Sequence, residues 1–178
     1  MDKDRARQSA GESLLYFFVL LLLSGGRLAY FYTPSGETVA YTGWYEPLRG
    51  TPMTAAYESV LAISTDVPQG LLTRQLHVKV TTVLALGTVV WALLGRFRYA
   101  LAVLVLIAVA GTAGYGAADE IVLVELPIPV WYGLHLAAAL AIAVTLVVSS
   151  RREAARRPRT PAFVALAAGL ALLAVYVL

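Results

Sequence analysis

The chain has 178 residues, 59% of them hydrophobic and only 14% charged, with a mean hydropathy of +0.72. A soluble domain is roughly half apolar and about a quarter charged, so this composition excludes an ordinary water-soluble domain and predicts an all-α integral membrane protein. The formal net charge of +3 comes from basic clusters beside apolar runs, which reads as membrane topology and implies no nucleic-acid partner. Cysteine is absent, which rules out disulfides and thiolate attachment of a metal or cofactor.

Five apolar segments are long enough, at roughly 17 to 25 residues, to cross a hydrocarbon core about 30 Å thick. The first spans Ser13 to Tyr32. Its basic tip resembles a secretion signal, but the run continues into "SGGRLAYFY" with no small-residue cleavage site, so a retained membrane helix is expected. The excursion Thr33 to Pro68 begins with turn chemistry in "TPSGE" and carries interface-type aromatic residues in "AYTGWYEPLRG". Within "TPMTAAYESVLAIS", Thr51 is expected as N-cap with Pro52 at the first position of a short surface helix, ended by Pro68 and Gly70. The second, third and fourth membrane segments are Gln69 to Leu94, Tyr99 to Tyr115 and Ile128 to Ser149. The fifth, Pro161 to Leu178, starts with Thr160 as cap and is almost wholly Ala, Leu and Val, suited to packing or anchoring.

Basic residues in short loops stay on the cytoplasmic side. Lys3, Arg5 and Arg7 precede the first segment, Arg96 and Arg98 join the second to the third, and Arg151, Arg152, Arg156, Arg157 and Arg159 join the fourth to the fifth. The opposite face holds Arg27, Arg49, Arg74 and Lys79 among the acids Glu37, Glu46, Glu58, Asp66, Asp119, Glu120 and Glu125. The N-terminus is therefore expected in the cytoplasm. Residues 1–149 read as one helical bundle with an outer excursion at 33–68, and residues 150–178 as a basic cytoplasmic loop plus an extra transmembrane helix.

The sequence holds two histidines, His77 and His135, each inside a membrane segment, where ionisable side chains are costly and functional by default. Counted from the outer ends of their helices, both lie roughly 10 to 12 Å deep at 1.5 Å per residue. Two imidazoles at one depth on two helices are the arrangement needed to clamp a haem iron from both faces. Arg74 lies one turn outward on the face of His77 and suits a haem propionate. Gly25, Gly26, Gly111 and Gly114 would let a flat macrocycle approach the backbone, though small-residue helix packing explains glycines equally well. The plainer reading of each histidine is a hydrogen-bonded structural residue. Lys79 falls about 200° around the helix from His77, placed to snorkel or to pair with Asp119 or Glu120.

"LLSGGRLAYFYTPS" followed by "AAYESVLAISTDVPQGLLTRQLHVKVTT" resembles the N-terminal, haem-bearing half of cytochrome b from the cytochrome bc complexes. The resemblance rests on Gly25, Leu28, Ala29 and Tyr32, then on Gly70, Arg74 and His77, and it extends weakly to Ser149. It implies a cytochrome b-like four-helix bundle followed by the extra fifth helix. It also implies His77 and His135 as axial ligands of an outer haem b, Arg74 as propionate partner, and Gly25 and Gly114 against the ring. The family places a second histidine 14 residues after each ligand, where this chain has Trp91 and Ser149. The second haem site is therefore expected to be lost, with the indole in its space. The Thr33 to Thr54 loop is longer than the family's, and the quinol-site motif belongs to a C-terminal half of which one helix at most is present.

One haem implies linear electron transfer. The expected function is a membrane cytochrome b subunit of a quinol:acceptor oxidoreductase in a prokaryotic plasma membrane, without activity alone. It would exchange electrons between the quinone pool and an extracytoplasmic redox partner docked on residues 33–68, with Asp66, Asp119 or Glu120 handling protons. The alternative is a structural anchor subunit of a respiratory complex with little or no redox role. A transporter or channel lacks support, since no row of polar residues suggests a pore.

Overall fold

The computed structural model describes residues 2–121 and 124–177. Six helices carry them: α1 (Lys3–Phe31), α2 (Ala55–Thr65), α3 (Gly70–Trp91), α4 (Phe97–Ala117), α5 (Ile128–Arg156) and α6 (Pro161–Val177). Three stretches are long and apolar enough to cross a membrane: Lys3–Phe31, the α3–α4 stretch Gly70–Ala117, and Ile128–Arg156. Pro161–Val177 is a shorter apolar helix. This is an all-α membrane protein, and its outward faces agree: Val19, Leu22 and Leu23 on α1, Leu86 and Val90 on α3, and Leu140 and Val144 on α5 are exposed, as contact with lipid tails requires.

α3 and α4 part at Ala92–Arg96, where Gly95 takes φ 103° and breaks the helical backbone. Glycine reaches that region without a Cβ clash. α1 begins ten residues before the apolar run at Ser13, and α5 continues past Ser149 to Arg156. These extensions are polar, and Arg7 of the first pairs with Glu153 of the second.

The chain divides into two compact units. One comprises Met1–Leu22, Val78–Ala108 and Ala139–Leu178. Its apolar centre is Leu14, Phe17 and Phe18 of α1, Val80, Leu84 and Trp91 of α3, Val103 of α4 and Leu146 of α5. At its polar end the buried Glu153 carboxylate meets Arg7 at 2.9 Å and Arg96 at 2.6 Å. Buried Glu12 accepts from Arg159 at 2.8 Å and from Ser150 Oγ at 2.7 Å. Buried carboxylates persist only when paired this way. Arg157 donates to Asp2 and holds that carboxyl below the usual carboxylate range. α6 buries Phe163, Ala167 and Ala171 on one stripe, and Ser13 Oγ donates to Ala167 O at 3.1 Å. The expected Thr160 cap is in place, its Oγ1 accepting from the Phe163 N–H. Leu178, the end of the fifth expected segment, lies outside the described residues.

The other unit comprises Leu23–His77 and Val109–Ala138. Within the excursion, β1 (Thr38–Ala40) pairs antiparallel with β2 (Pro52–Thr54), Val39 opposite Met53. The strands frame a tip ordered by a 3₁₀ turn at Glu46–Leu48, where Trp44 and Tyr45 are exposed. Buried Tyr41 accepts the Tyr45 N–H through its hydroxyl. Pro52 therefore sits in a strand, and the cap of α2 is Thr54 rather than Thr51: Thr54 Oγ1 accepts from the Tyr57 N–H at 3.2 Å. The reason is local, since Thr51 and Pro52 are committed to the hairpin and the helix starts only after it. α2 buries Ala56, Ser59, Val60 and Ile63, the i, i+3, i+4, i+7 stripe of an amphipathic helix. It ends at Thr65 before Pro68, and α3 starts at Gly70, where a Cβ would lie 1.8 Å from Ile63 O.

The two threonines give a direct check. Thr54→Ala removes the α2 cap and is expected to lower stability by about 1 kcal/mol, read as a fall of a few degrees in Tm, whereas Thr51→Ala leaves Tm nearly unchanged.

Candidate functional site

Both histidines belong to the second unit. His77 is on α3 and His135 on α5, and their ring centroids stand 6.2 Å apart with planes 49° from each other. Two imidazole nitrogens on opposite sides of one metal ion, each about 2 Å from it, put the ring centroids about 6 Å apart. The pair therefore has a separation that two imidazole ligands of one metal ion would have.

Each ring lies against a glycine. A Cβ on Gly25 of α1 would come within 3.0 Å of His77 Cε1, and one on Gly114 of α4 within 3.1 Å of His135 Nδ1. Of the other two glycines named from sequence, Gly26 and Gly111 have nothing within 4 Å of such a Cβ. His77, His135, Gly25 and Gly114 are all partly exposed.

The ring nitrogens have defined partners. Ala110 O lies 2.8 Å from His135 Nδ1. A carbonyl only accepts, so Nδ1 carries the proton and the lone pair is on Nε2. An outer partner of this kind is the usual device for orienting a metal-bound imidazole. Ser24 Oγ lies 3.0 Å from His77 Nδ1. Among the described residues no group of three or more His, Cys, Asp or Glu side chains could hold a metal. A two-imidazole set fits an iron whose remaining ligands come from a macrocycle, and the residues present fit a haem.

Arg74, one turn from His77, forms an ion pair with Glu120 just beyond α4. Asp119 accepts from Thr54 Oγ1 at 2.8 Å. Asp66, the third candidate proton group, accepts from the Trp44 N–H of the hairpin tip and from Thr65 Oγ1 at the end of α2. Around the site, the Trp131 ring covers Gly116, and Tyr32 lies 5.2 Å from Tyr132 while donating to Ala117 O. Sequence reasoning missed Ser24 and Ala110. Ser24 left a trace as the one hydroxyl in "LLLLSGG", whereas a carbonyl contact from Ala110 leaves none. It also missed that Glu120 reaches Arg74.

The two residues at the 14-residue offset, Trp91 and Ser149, belong to the first unit and are each 1% exposed. A Cβ on Gly11 would lie 3.2 Å from Trp91 Nε1, and Gly11 precedes Gly25 by the same 14 residues. Ala100, 14 residues before Gly114, is fully buried. The Trp91 N–H and Ser149 Oγ have no hydrogen-bond partner among the described residues.

Over 67 residues in its N-terminal part, 38% of its length, the chain is 51% identical to the cytochrome bc1 complex cytochrome b subunits of Mycobacterium leprae and Mycobacterium tuberculosis. It is 49% identical over the same length to that of Streptomyces coelicolor. The matched stretch spans 12% of the length of each of these curated relatives. No family model matches the chain. With bacterial relatives of this kind and three apolar helices of spanning length, it is a multi-pass protein of the prokaryotic plasma membrane, similar in part to cytochrome b.

Proposed function

We propose that the chain binds one b-type haem between His77 and His135 and acts as the membrane cytochrome b subunit of a respiratory electron-transfer complex. The observation that carries this is the imidazole pair, 6.2 Å apart and backed by Gly25 and Gly114. Similarity to the bc1 cytochrome b subunits supports it independently.

His77 and His135 would hold the iron, Arg74 would meet a propionate, and Gly25 and Gly114 would leave room for the ring. When bound, the haem supplies one-electron redox chemistry at this place. The chain's own part is to hold the two rings at ligand separation and fix the His135 tautomer through Ala110. The basic residues near the start of α1, between α3 and α4 and after α5 favour a cytoplasmic N-terminus. In that orientation α1, α3, α4 and α5 make a cytochrome b-like four-helix bundle, with the haem toward the outer side and α6 as an added helix.

The haem count is one because the second set of positions is closed. Trp91 does not ligate iron, and its ring lies against Gly11 in a fully buried environment. A single haem suits linear electron exchange between the quinone pool and an extracytoplasmic redox partner, with the hairpin and α2 of residues 33–68 as docking surface and Asp119 or Glu120 near the proton path.

The purified protein tests this. Reduced-minus-oxidised spectra and a pyridine haemochrome assay are expected to give one low-spin b haem per chain. Two per chain would reject the closure by Trp91. None in folded protein would reject ligation and leave the anchor reading, in which the helices serve only to hold a larger complex.

A further inference from the structure

Arg74 does not face the site alone. Its guanidinium pairs with Glu120, with the two side chains 34% and 23% exposed, so their charges are only partly screened by solvent. Glu120 reaches Arg74 because of how α4 ends. Asp119 takes φ 56°, a left-handed conformation that glycine adopts freely and aspartate at some cost. The Asp119 N–H donates to Gly116 O at 3.2 Å and the Glu120 N–H to Tyr115 O at 3.1 Å, the pair of bonds that closes a helix around a left-handed residue. Non-glycine residues keep such a conformation when their surroundings over-determine it, often beside functional sites. Here the Asp119 carboxylate is fastened to Thr54, the residue that caps α2. The α4 terminus is thus tied to α2 by Asp119 and to α3 by Glu120.

We propose that Glu120 is a positioning residue for the haem site: it holds Arg74 beside His77 and offsets part of the Arg74 charge, thereby lowering the reduction potential of the bound group. The inference rests on the reading of His77, His135 and Arg74 as the haem-binding set. Its electrostatics are elementary. Reduction adds one negative charge, which the Arg74 guanidinium favours, and Glu120 weakens that effect by drawing the guanidinium into an ion pair. The α4 C-terminus, with its partial negative charge, acts in the same sense as Glu120.

Glu120→Gln keeps the shape and removes the charge. Optical redox titration of the purified protein, with haem per chain measured alongside, is expected to show one haem retained and a midpoint shifted to more positive potential. Glu120→Asp keeps the charge and is expected to stay close to wild type. In an Arg74→Gln background the same Glu120→Gln change should move the midpoint much less, because its route through Arg74 is gone. An unchanged midpoint in haem-loaded Glu120→Gln overturns the assignment, as does a shift of full size without Arg74. Loss of haem from Glu120→Gln with retention in Glu120→Asp supports it, since the charge then holds the site together. A folded wild type without haem defeats the underlying ligation, and this is seen before any variant is made.

Discussion

Alanine at His77 or at His135 is expected to abolish the b-type spectrum, with haem per chain in the purified variant falling to near zero. On the proposed ligation each imidazole would supply one of two protein bonds to the iron. Losing an outer partner of a metal-bound histidine costs about 10–100-fold in affinity, and losing the ligand itself costs more. The two variants should behave alike, because each would leave one ring of the pair and no group of three or more His, Cys, Asp or Glu side chains could hold a metal among the described residues. They should also stay folded. Both histidines are partly exposed, so truncation leaves no sealed cavity in a packed core. Circular dichroism with unchanged helix content and an absent haem band is the expected combination. A variant that keeps a full complement of low-spin haem would overturn the ligand assignment.

The helices and the histidine pair were legible in the sequence for the same reason: lipid punishes exposed polarity, so each departure from an apolar run stands out. His77, His135 and Arg74 are such departures, and counting residues from helix ends was enough to put both rings at one level. The limits of α1 and α5 were not legible. Residues 3–12 and 150–156 hold partners for one another, Arg7 with Glu153 and Glu12 with Ser150, and pairing between residues nearly 150 apart leaves no periodic signal. The hairpin was missed because β1 and β2 have three residues each, too few for alternation to show. Thr160 and Thr51 both precede proline, yet only Thr160 caps a helix. At Thr51 the long-range pairing of Pro52 with Ala40 overrode a sound local rule. The Arg74–Glu120 pair depends on the backbone turn at Asp119, and nothing in "AADE" announces a left-handed aspartate.

Trp91→Ala is expected to separate the two ends of α1 by their response. In the first unit Trp91 is 1% exposed against Gly11, with Thr88 and Ala100 fully buried nearby in sequence on α3 and α4. Truncating a buried tryptophan costs about 3–5 kcal/mol in lost packing and cavity. Removing the unpartnered indole N–H returns about 1–3 kcal/mol. The net is a destabilisation of roughly 2 kcal/mol, a fall in Tm of roughly 4–8 °C for a chain of this size. Trp91→Phe keeps most of the ring and drops the N–H, so it should cost far less. Haem per chain should remain at one in both, because the ligands and their glycines lie in the other unit. The contrast follows from one substitution in a repeated pattern. Gly25 with His77 leaves the ring partly exposed, whereas Gly11 with Trp91, the same 14 residues away on each helix, leaves it sealed. If Trp91→Ala left Tm unchanged while lowering haem content, the indole would be supporting the cofactor and not occupying a closed site.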